Sequence, residues 1–338
     1  MSAVVGDSAE RAVVCLKSGM PVALPTETVY GLAAPMSCPD VIERIYSLKQ
    51  RPENNPLIVH VLDSVQLQRV AYVTPLVLRL VEAFWPGPLT LVLPKRSCVP
   101  DIVTAHQDSV AVRSPQNPFF RRVIELIDEP LVAPSANKFQ HVSPTTAQHV
   151  LEDMGDVLEY ILDGGPCNFG VESTILSLLD EGKPTILRFG PIAKEEIERF
   201  LGRTVLVASP IKSDAVHLSP GLYKKHYSPR TPLYLVKSLD KYTPKASLKK
   251  IFEENSAHVF LFSPERVLKN NEFVLSKQKN LREVAARLFA MLHRLDGMGF
   301  ASIWIEKAAD VEIGRAINDR LTRAAYMDLS NLNDSSCI

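Results

Sequence analysis

Four basic residues of this 338-residue chain occupy the same kind of place: each closes, or directly follows, an apolar segment. Lys49 and Arg51 fall at the end of a helical pattern over 40–50, Arg113 ends "SVAVR", and Arg188 ends "TILR". Singly, such a cation is as well explained by solvation, or by the preference of helix ends for positive charge. Four at element ends describe an anion site. Open α/β sheets bind ligands at strand ends and in the loops that follow, so these cations are expected on one rim. A triphosphate carries enough charge to need several of them. Hydroxyls stand at comparable places: Thr26 and Thr28 in "LPTETVYGLAA", Ser109, Ser135 in "APSAN", Ser143 in "SPTT", and Ser173-Thr174 in "VEST". Ser143 reads first as a helix start before an apolar-periodic run, although helix N-termini also bind anions. His60 in "PLIVHV" is balanced between a satisfied strand histidine and a ligand contact. Thr26-Glu27-Thr28 interrupts apolar text, either as a turn or because the chain emerges there onto a site.

Several common chemistries are excluded. There is no G-x-x-x-x-G-K-S/T loop and no strand followed by G-x-G-x-x-G. No nucleophile elbow or kinase signature occurs either. "DGGP" (163–166) reads as a turn. Five cysteines at 15, 38, 98, 167 and 337 form no C-x-x-C pair, which argues against a zinc site or a disulfide framework and for a reducing compartment. Lysine plus arginine (38) equal aspartate plus glutamate (38), so no global field draws the chain to nucleic acid or to a membrane surface. With no signal-like start, and no apolar run near the ~18 residues of a span, a cytoplasmic protein is expected.

The elements that must position these residues alternate. Asp7 and Ser8 can each cap a helix through Ala12, Val13 and Leu16, which Gly19 ends. A strand at 21–25, the 40–50 helix and "PLIVHV" (56–61) follow. Helices at 75–84, 118–127 and near 145–154 alternate with strands at 89–93, 109–113 and 131–133, and with "YILD", "TILSLL" and "TILRF". With no helix expected between 89–93 and 109–113, the sheet is predicted to be mixed. Residues 1–206 read as one domain, and 207–232, with four prolines, as a linker. Residues 233–338 read as a smaller doubly wound domain with strands "LYLV", "HVFLF" and "ASIWI" and a helix through Leu281, Val284, Leu288, Leu292 and Leu295.

Taken together and in order, "PTETVYGLA", "KQRPENNPLIVHV", "WPGPLTLVL", "VAVRSP", "APSAN", "SPTT", "GVESTI" and "ILRFGPI" resemble the L-threonylcarbamoyladenylate synthase family, also called YrdC-like. "SPGLYKKHYSP" and "IGRAINDRLTRAA" resemble its long form, which carries an extra C-terminal domain. The resemblance covers about residues 8 to 326. It implies a twisted mixed sheet with a concave basic cleft, a Rossmann-like C-terminal domain, and a linker that lies over the cleft as a lid. It implies synthesis of threonylcarbamoyl-AMP and pyrophosphate from L-threonine, bicarbonate or carbon dioxide, and ATP, with a downstream transferase modifying tRNA and no obligatory contact with tRNA itself. Carried over residue by residue, Thr28, His60, Arg113, the Ala133 backbone and Ser173 hold L-threonine. Arg51, Asn55, Ser109, Ser135, Ser143, Arg188 and Tyr227 meet ATP. Lys49 and Arg51 are the catalytic cations. No organic cofactor and no protein-held metal is expected, only Mg2+ carried by ATP.

On that reading, the threonine amine captures carbon dioxide and the new carboxylate attacks the α-phosphorus. Positive charge must offset the repulsion between two anions. Two rivals are weighed. An RNA-binding module without turnover is opposed by the charge balance and by the lack of stacking aromatics on a strand. A carbamoyltransferase that forms a carbamoyl-adenylate is opposed by the lack of Cys-rich zinc segments.

Overall fold

The computed structural model describes residues 2–208 and 226–330. Most of the expected linker falls on 209–225, and Cys337 on the last residues; both lie outside the described residues. The chain divides into two units, Met1–Phe139 with Ser143–Leu222, and Gln140–Val142 with Tyr223–Ile338.

The first unit runs β1 (Val4–Gly6), α1 (Ala9–Lys17), β2 (Val22–Leu24), β3 (Gly31–Pro35), α2 (Pro39–Lys49), β4 (Ile58–His60), α3 (Ser64–Val70), α4 (Pro75–Phe84), β5 (Leu89–Pro94), α5 (Asp101–Thr104) and β6 (Ser109–Arg113). It continues with α6 (Pro118–Ile127), β7 (Leu131–Val132), α7 (Ala147–Met154), β8 (Tyr160–Leu162), β9 (Thr174–Ser177), β10 (Thr185–Arg188), α8 (Lys194–Leu201) and β11 (Leu206–Val207). Helix starts follow local chemistry. Ser8 accepts from the Arg11 amide, Thr74 from Val77, and Asn117 from Phe119 and Phe120, while Pro75 and Pro118 fill first helical positions where no N–H is needed. Gly19, at φ +79, turns the chain after α1.

The strands form one mixed sheet in the order β1-β8-β2-β3-β7-β4-β6-β5-β9-β10-β11. A one-turn helix, α5, does lie between β5 and β6, contrary to expectation. Four residues are too few to cross a sheet, so the two strands remain antiparallel neighbours, Leu91 opposite Val112 and Pro94 opposite Ser109.

Alternation sorts the side chains into two faces. One face carries Val59, Leu89, Leu91, Leu93, Val110, Val112, Val132 and Leu176, which join α2, α3, α4 and α7 in the main core. The other face is covered in two ways. Over β2, β3, β7 and β8 it is packed by Ala9, Ala12, Val13 and Leu16 of α1 and by Phe120, Val123 and Ile124 of α6. Over β4, β6, β5, β9 and β10 its apolar cluster is built of strand residues: Ile58, Ala111, Val92, Ile175 and Leu187.

The second unit holds β12 (Leu233–Val236), α9 (Ala246–Glu253), β13 (Ser256–Phe262), β14 (Glu272–Ser276), α10 (Leu281–Asp296), β15 (Ser302–Glu306), α11 (Ile313–Ala324) and β16 (Met327–Asp328). Its sheet, β14-β13-β15-β12-β16, is parallel throughout. Tyr234 stacks on Trp304 at 4.4 Å in one layer of its core, and α10 buries Val284, Ala285, Leu288, Phe289, Leu292 and Leu295.

Candidate active site

The strand-lined half of the second face carries part of the expected site: Arg113, Arg188, His60, Ser109 and Ser173 lie on or beside it, whereas Lys49 and Arg51 come from the end of α2, which packs into the main core. Ser109, Ala111 and Arg113 alternate onto this half-face along β6, and Ile58 and His60 along β4, with His60 in register with Arg113. Thr90 and Val92 do so on β5. Ser173, just ahead of β9, bonds Thr90 through the two hydroxyls at 2.7 Å. In β10 the pairing slips between Ile186 and Arg188. That bulge re-aims Arg188, whose Nε and NH2 donate to the carbonyl and hydroxyl of Ser173 at 3.1 and 3.0 Å.

All four cations are buried, none more than 8% exposed. A buried cation needs hydrogen-bond partners, and much of what these four meet is backbone. Lys49, the last residue of α2, donates to the carbonyls of Ser135 and Asn137 at 2.6 and 2.5 Å. Gln50 is left-handed at φ 53 and ends the helix, and Arg51 then reaches the carbonyls of Asn55 and Pro56 at 3.2 and 2.8 Å. Burial first, then the neighbouring Arg51, pushes the Lys49 amine well below its ordinary range, while the Asp153 carboxylate pulls the other way.

Arg113 meets a carboxylate. Its NH2 donates to Glu27 Oε1 at 2.6 Å, its NH1 to Thr28 Oγ1 at 2.9 Å, and its Nε to the Gly87 carbonyl at 3.2 Å. Thr26 Oγ1 lies 2.6 Å from the Val29 carbonyl, which can only accept, so its single hydrogen goes there. Thr26 Oγ1 in turn accepts from the amides of Thr28 and Val29 at 3.0 and 3.1 Å and lies 2.9 Å from Thr28 Oγ1, which accepts from Arg113. Residues 25–30 are the connection between the antiparallel β2 and β3, so this stretch is a turn in conformation while also contributing to the site. A cavity of about 390 Å³ lies between its Thr26-Glu27 portion, the start of α6 at 116–118, and the 164–168 loop.

The other expected residues fall as follows. His60 is buried and neutral: burial, then Arg113, pushes its pKa down to about 3 while the carbonyls of Ile58 and Leu131 pull the other way. Its ring lies 5.0 Å from Phe120. The Ala133 amide donates to the Ile58 carbonyl within the sheet, so any ligand contact there falls to its carbonyl. Asn55 is wholly buried, and both polar atoms of its amide lack a hydrogen-bond partner. Ser143 does not start a helix. Thr146 caps α7 by accepting from His149, and the Ser143 hydroxyl instead donates to Glu172 at 2.6 Å. Tyr227 belongs to the second unit, its ring stacked on Phe289 at 5.6 Å with the Arg320 guanidinium 5.2 Å above.

Sequence reasoning assigned no role to Glu27, Glu172 or Thr90. The signal for the two acids was present: a carboxylate inside apolar text must find a donor if it is buried.

Comparison with known proteins bears on the whole chain. The Sua5/YciO/YrdC family model, described as "Telomere recombination", matches residues 14–190, and the model "Threonylcarbamoyl-AMP synthase, C-terminal domain" matches 192–326. The chain is 37% identical to a threonylcarbamoyl-AMP synthase of Pyrococcus abyssi, covering 92% of both chains. It is 36% identical to one of Bacillus subtilis, covering 93% of this chain and 92% of that one. A crystal structure of P. abyssi Sua5 complexed with L-threonine superposes with a TM-score of 0.85 at 34% identity, over 96% of this chain and 98% of that one.

Proposed function

We infer the reaction from the premise that this chain belongs to the Sua5/YciO/YrdC family and carries the C-terminal domain of the threonylcarbamoyl-AMP synthases. It is an enzyme, and it makes L-threonylcarbamoyl-AMP and pyrophosphate from L-threonine, bicarbonate or carbon dioxide, and ATP. This is the first step of threonylcarbamoyladenosine formation in tRNA. The observation in this molecule that carries the reading is the half-face where Arg113, Arg188 and the hydroxyls of Thr90, Ser109 and Ser173 surround a small apolar floor.

The roles we assign are those that the family resemblance implies, and the hydrogen bonds of the site support several of them. Arg113 takes the threonine carboxylate, since its planar fork presents parallel donors. Thr28 Oγ1 accepts from Arg113 with one lone pair and keeps the other, suited to the substrate amine. Ser173, the Ala133 carbonyl and the neutral His60 complete the amino-acid half. The unpartnered Asn55 amide, with Arg51, Ser109, Ser135, Ser143 and Arg188, meets ATP. Lys49 holds the 135–137 loop close to the phosphates.

The amine attacks carbon dioxide and loses a proton, giving N-carboxythreonine. A carboxylate oxygen then forms a bond to the α-phosphorus as the bond to pyrophosphate breaks. Lys49 and Arg51 offset charge on the phosphoryl oxygens while the sheet holds the reactants in line. The site carboxylates fit no protein cage for magnesium, because Glu27 is taken by Arg113 and Gln116 and Glu172 by Ser143. Mg2+ therefore comes with the nucleotide, held mainly by phosphate oxygens and water. A cytoplasmic tRNA threonylcarbamoyltransferase would consume the product. Among the described residues no helix is long and apolar enough to cross a membrane.

Pyrophosphate release from ATP tests the reading. It is expected only when L-threonine and bicarbonate are both present, with no release when carbamoyl phosphate replaces them. Salt-sensitive RNA binding without turnover would overturn it.

A further inference from the structure

The mechanism above leaves two buried acids of the site, Glu27 and Glu172, without a task, and Glu27 is the one that touches a substrate-binding cation. Glu27 is 4% exposed, and its carboxylate is divided between two distant parts of the chain. Oε1 accepts from Arg113 at 2.6 Å, and Oε2 accepts from the Gln116 amide at 3.0 Å, just beyond the end of β6. Its own carbonyl accepts from the Phe169 amide at 2.9 Å. Three segments are therefore fastened at this residue.

The consequence for Arg113 is geometric. Each of its three nitrogens makes a hydrogen bond, to Gly87, Thr28 and Glu27, so the guanidinium plane is fixed before any substrate arrives. The consequence for charge is equally direct. An arginine alone would attract bicarbonate, phosphate or any carboxylate. Paired with a carboxylate, it offers positive and negative groups side by side, the complement of an amino acid that carries both an ammonium and a carboxylate.

We propose that Glu27 is a positioning and specificity residue for the amino-acid half of the reaction, acting through Arg113 and Thr28 and making the pocket selective for a zwitterion over a simple anion. The proposal rests on the synthase reading. A hydrogen-bonding structural role alone would weaken both substrates alike through general loosening. A positioning role falls on threonine.

The test compares Glu27→Gln, Glu27→Asp and, as a control for loss of a buried carboxylate elsewhere in the site, Glu172→Gln. Pyrophosphate release is followed with threonine varied at saturating ATP, and then with ATP varied at saturating threonine. Wild-type enzyme must first release pyrophosphate in a threonine-dependent manner; if it does not, the synthase reading fails, and not this inference alone. Given that activity, Glu27→Gln is expected to raise KM for threonine about tenfold or more and to leave KM for ATP within about twofold. Glu27→Asp keeps the charge at shorter reach and should show a smaller rise of the same kind, which also covers the case where the glutamine variant fails to fold. The inhibition constant of 3-hydroxybutyrate, which keeps the carboxylate and hydroxyl but lacks the amine, is expected to improve relative to KM for threonine in Glu27→Gln. The proposal is overturned if threonine KM is unchanged in the Glu27 variants, if both KM values rise together, or if Glu172→Gln raises threonine KM as much.

Discussion

The ATP contact proposed for Asn55 would set stability and activity against each other within one side chain. Its amide is buried with donor and acceptor both unpaired, and a group so placed costs about 1–3 kcal/mol. Leucine has nearly the same shape and no polar atoms. Asn55→Leu is therefore expected to leave the denaturant midpoint unchanged or to raise stability by up to about 2 kcal/mol, while raising KM for ATP at least severalfold. Equal losses in stability and ATP affinity would show that the amide serves the fold. At this scale the sequence was informative about charge and silent about its partners. Lys49, Arg51, Arg113 and Arg188 were legible as cations that end elements. The carbonyls of Ser135, Asn137, Asn55 and Pro56 that hold Lys49 and Arg51 were not, because every residue presents the same carbonyl and only the folded geometry selects these four. Glu27 was visible as an oddity in apolar text, but its partner lies 86 positions away.

Among the elements, the β9–β10 pair carries Ser173 and Arg188, and one glycine governs how closely its backbone is approached. A Cβ at Gly190 would stand 2.2 Å from the Thr174 nitrogen and 2.6 Å from the Glu172 carbonyl oxygen. Backbone cannot yield as a flexible side chain does, so Gly190→Ala must displace the segment that presents Ser173. A loss of roughly 1–3 kcal/mol in unfolding free energy is expected, together with a fall in turnover larger than that of a surface Gly→Ala change such as Gly182→Ala. Normal activity in Gly190→Ala would mean that the 172–174 backbone has slack that the geometry does not suggest. Elements with strong local signals were read closely: α4 and α6 begin at proline after a capping residue, and both match their expected bounds of 75–84 and 118–127. Weakly marked ones were missed. Helix α8 buries Ile197 alone, α5 is a single turn, and α3, β14, α9 and α11 gave no periodicity that was recognised. Tertiary contacts, not local pattern, define such elements.

At the scale of the whole molecule, folding must accommodate a neutral imidazole in the sheet of the first unit. Above pH 6.5 His60 is uncharged in both folded and unfolded chains. Below it, the unfolded chain binds a proton that the folded sheet refuses until about pH 3, so stability falls as pH drops through that window. The loss from this group amounts to roughly 3 kcal/mol by pH 4. Urea midpoints measured from pH 7.5 to 4 are expected to decline, and His60→Gln should flatten the slope; an identical slope in that variant would place the acid sensitivity elsewhere. The division into two α/β units was legible because a proline-rich stretch separates two sets of apolar strands, whereas the share of Gln140–Val142 in the second unit was not: His141 pairs with Ser228, and nothing local announces it. The two-faced character of β6 also has a mutational corollary. Ser109, Ala111 and Arg113 face the candidate site while Val110 and Val112 face the core, so an insertion or deletion of one codon within this strand would turn the residues beyond it to the opposite face. The same change in the turn at 180–182, outside any strand, would leave both faces in place, so a one-residue insertion between Ser109 and Arg113 is expected to abolish activity where one at 182 does not.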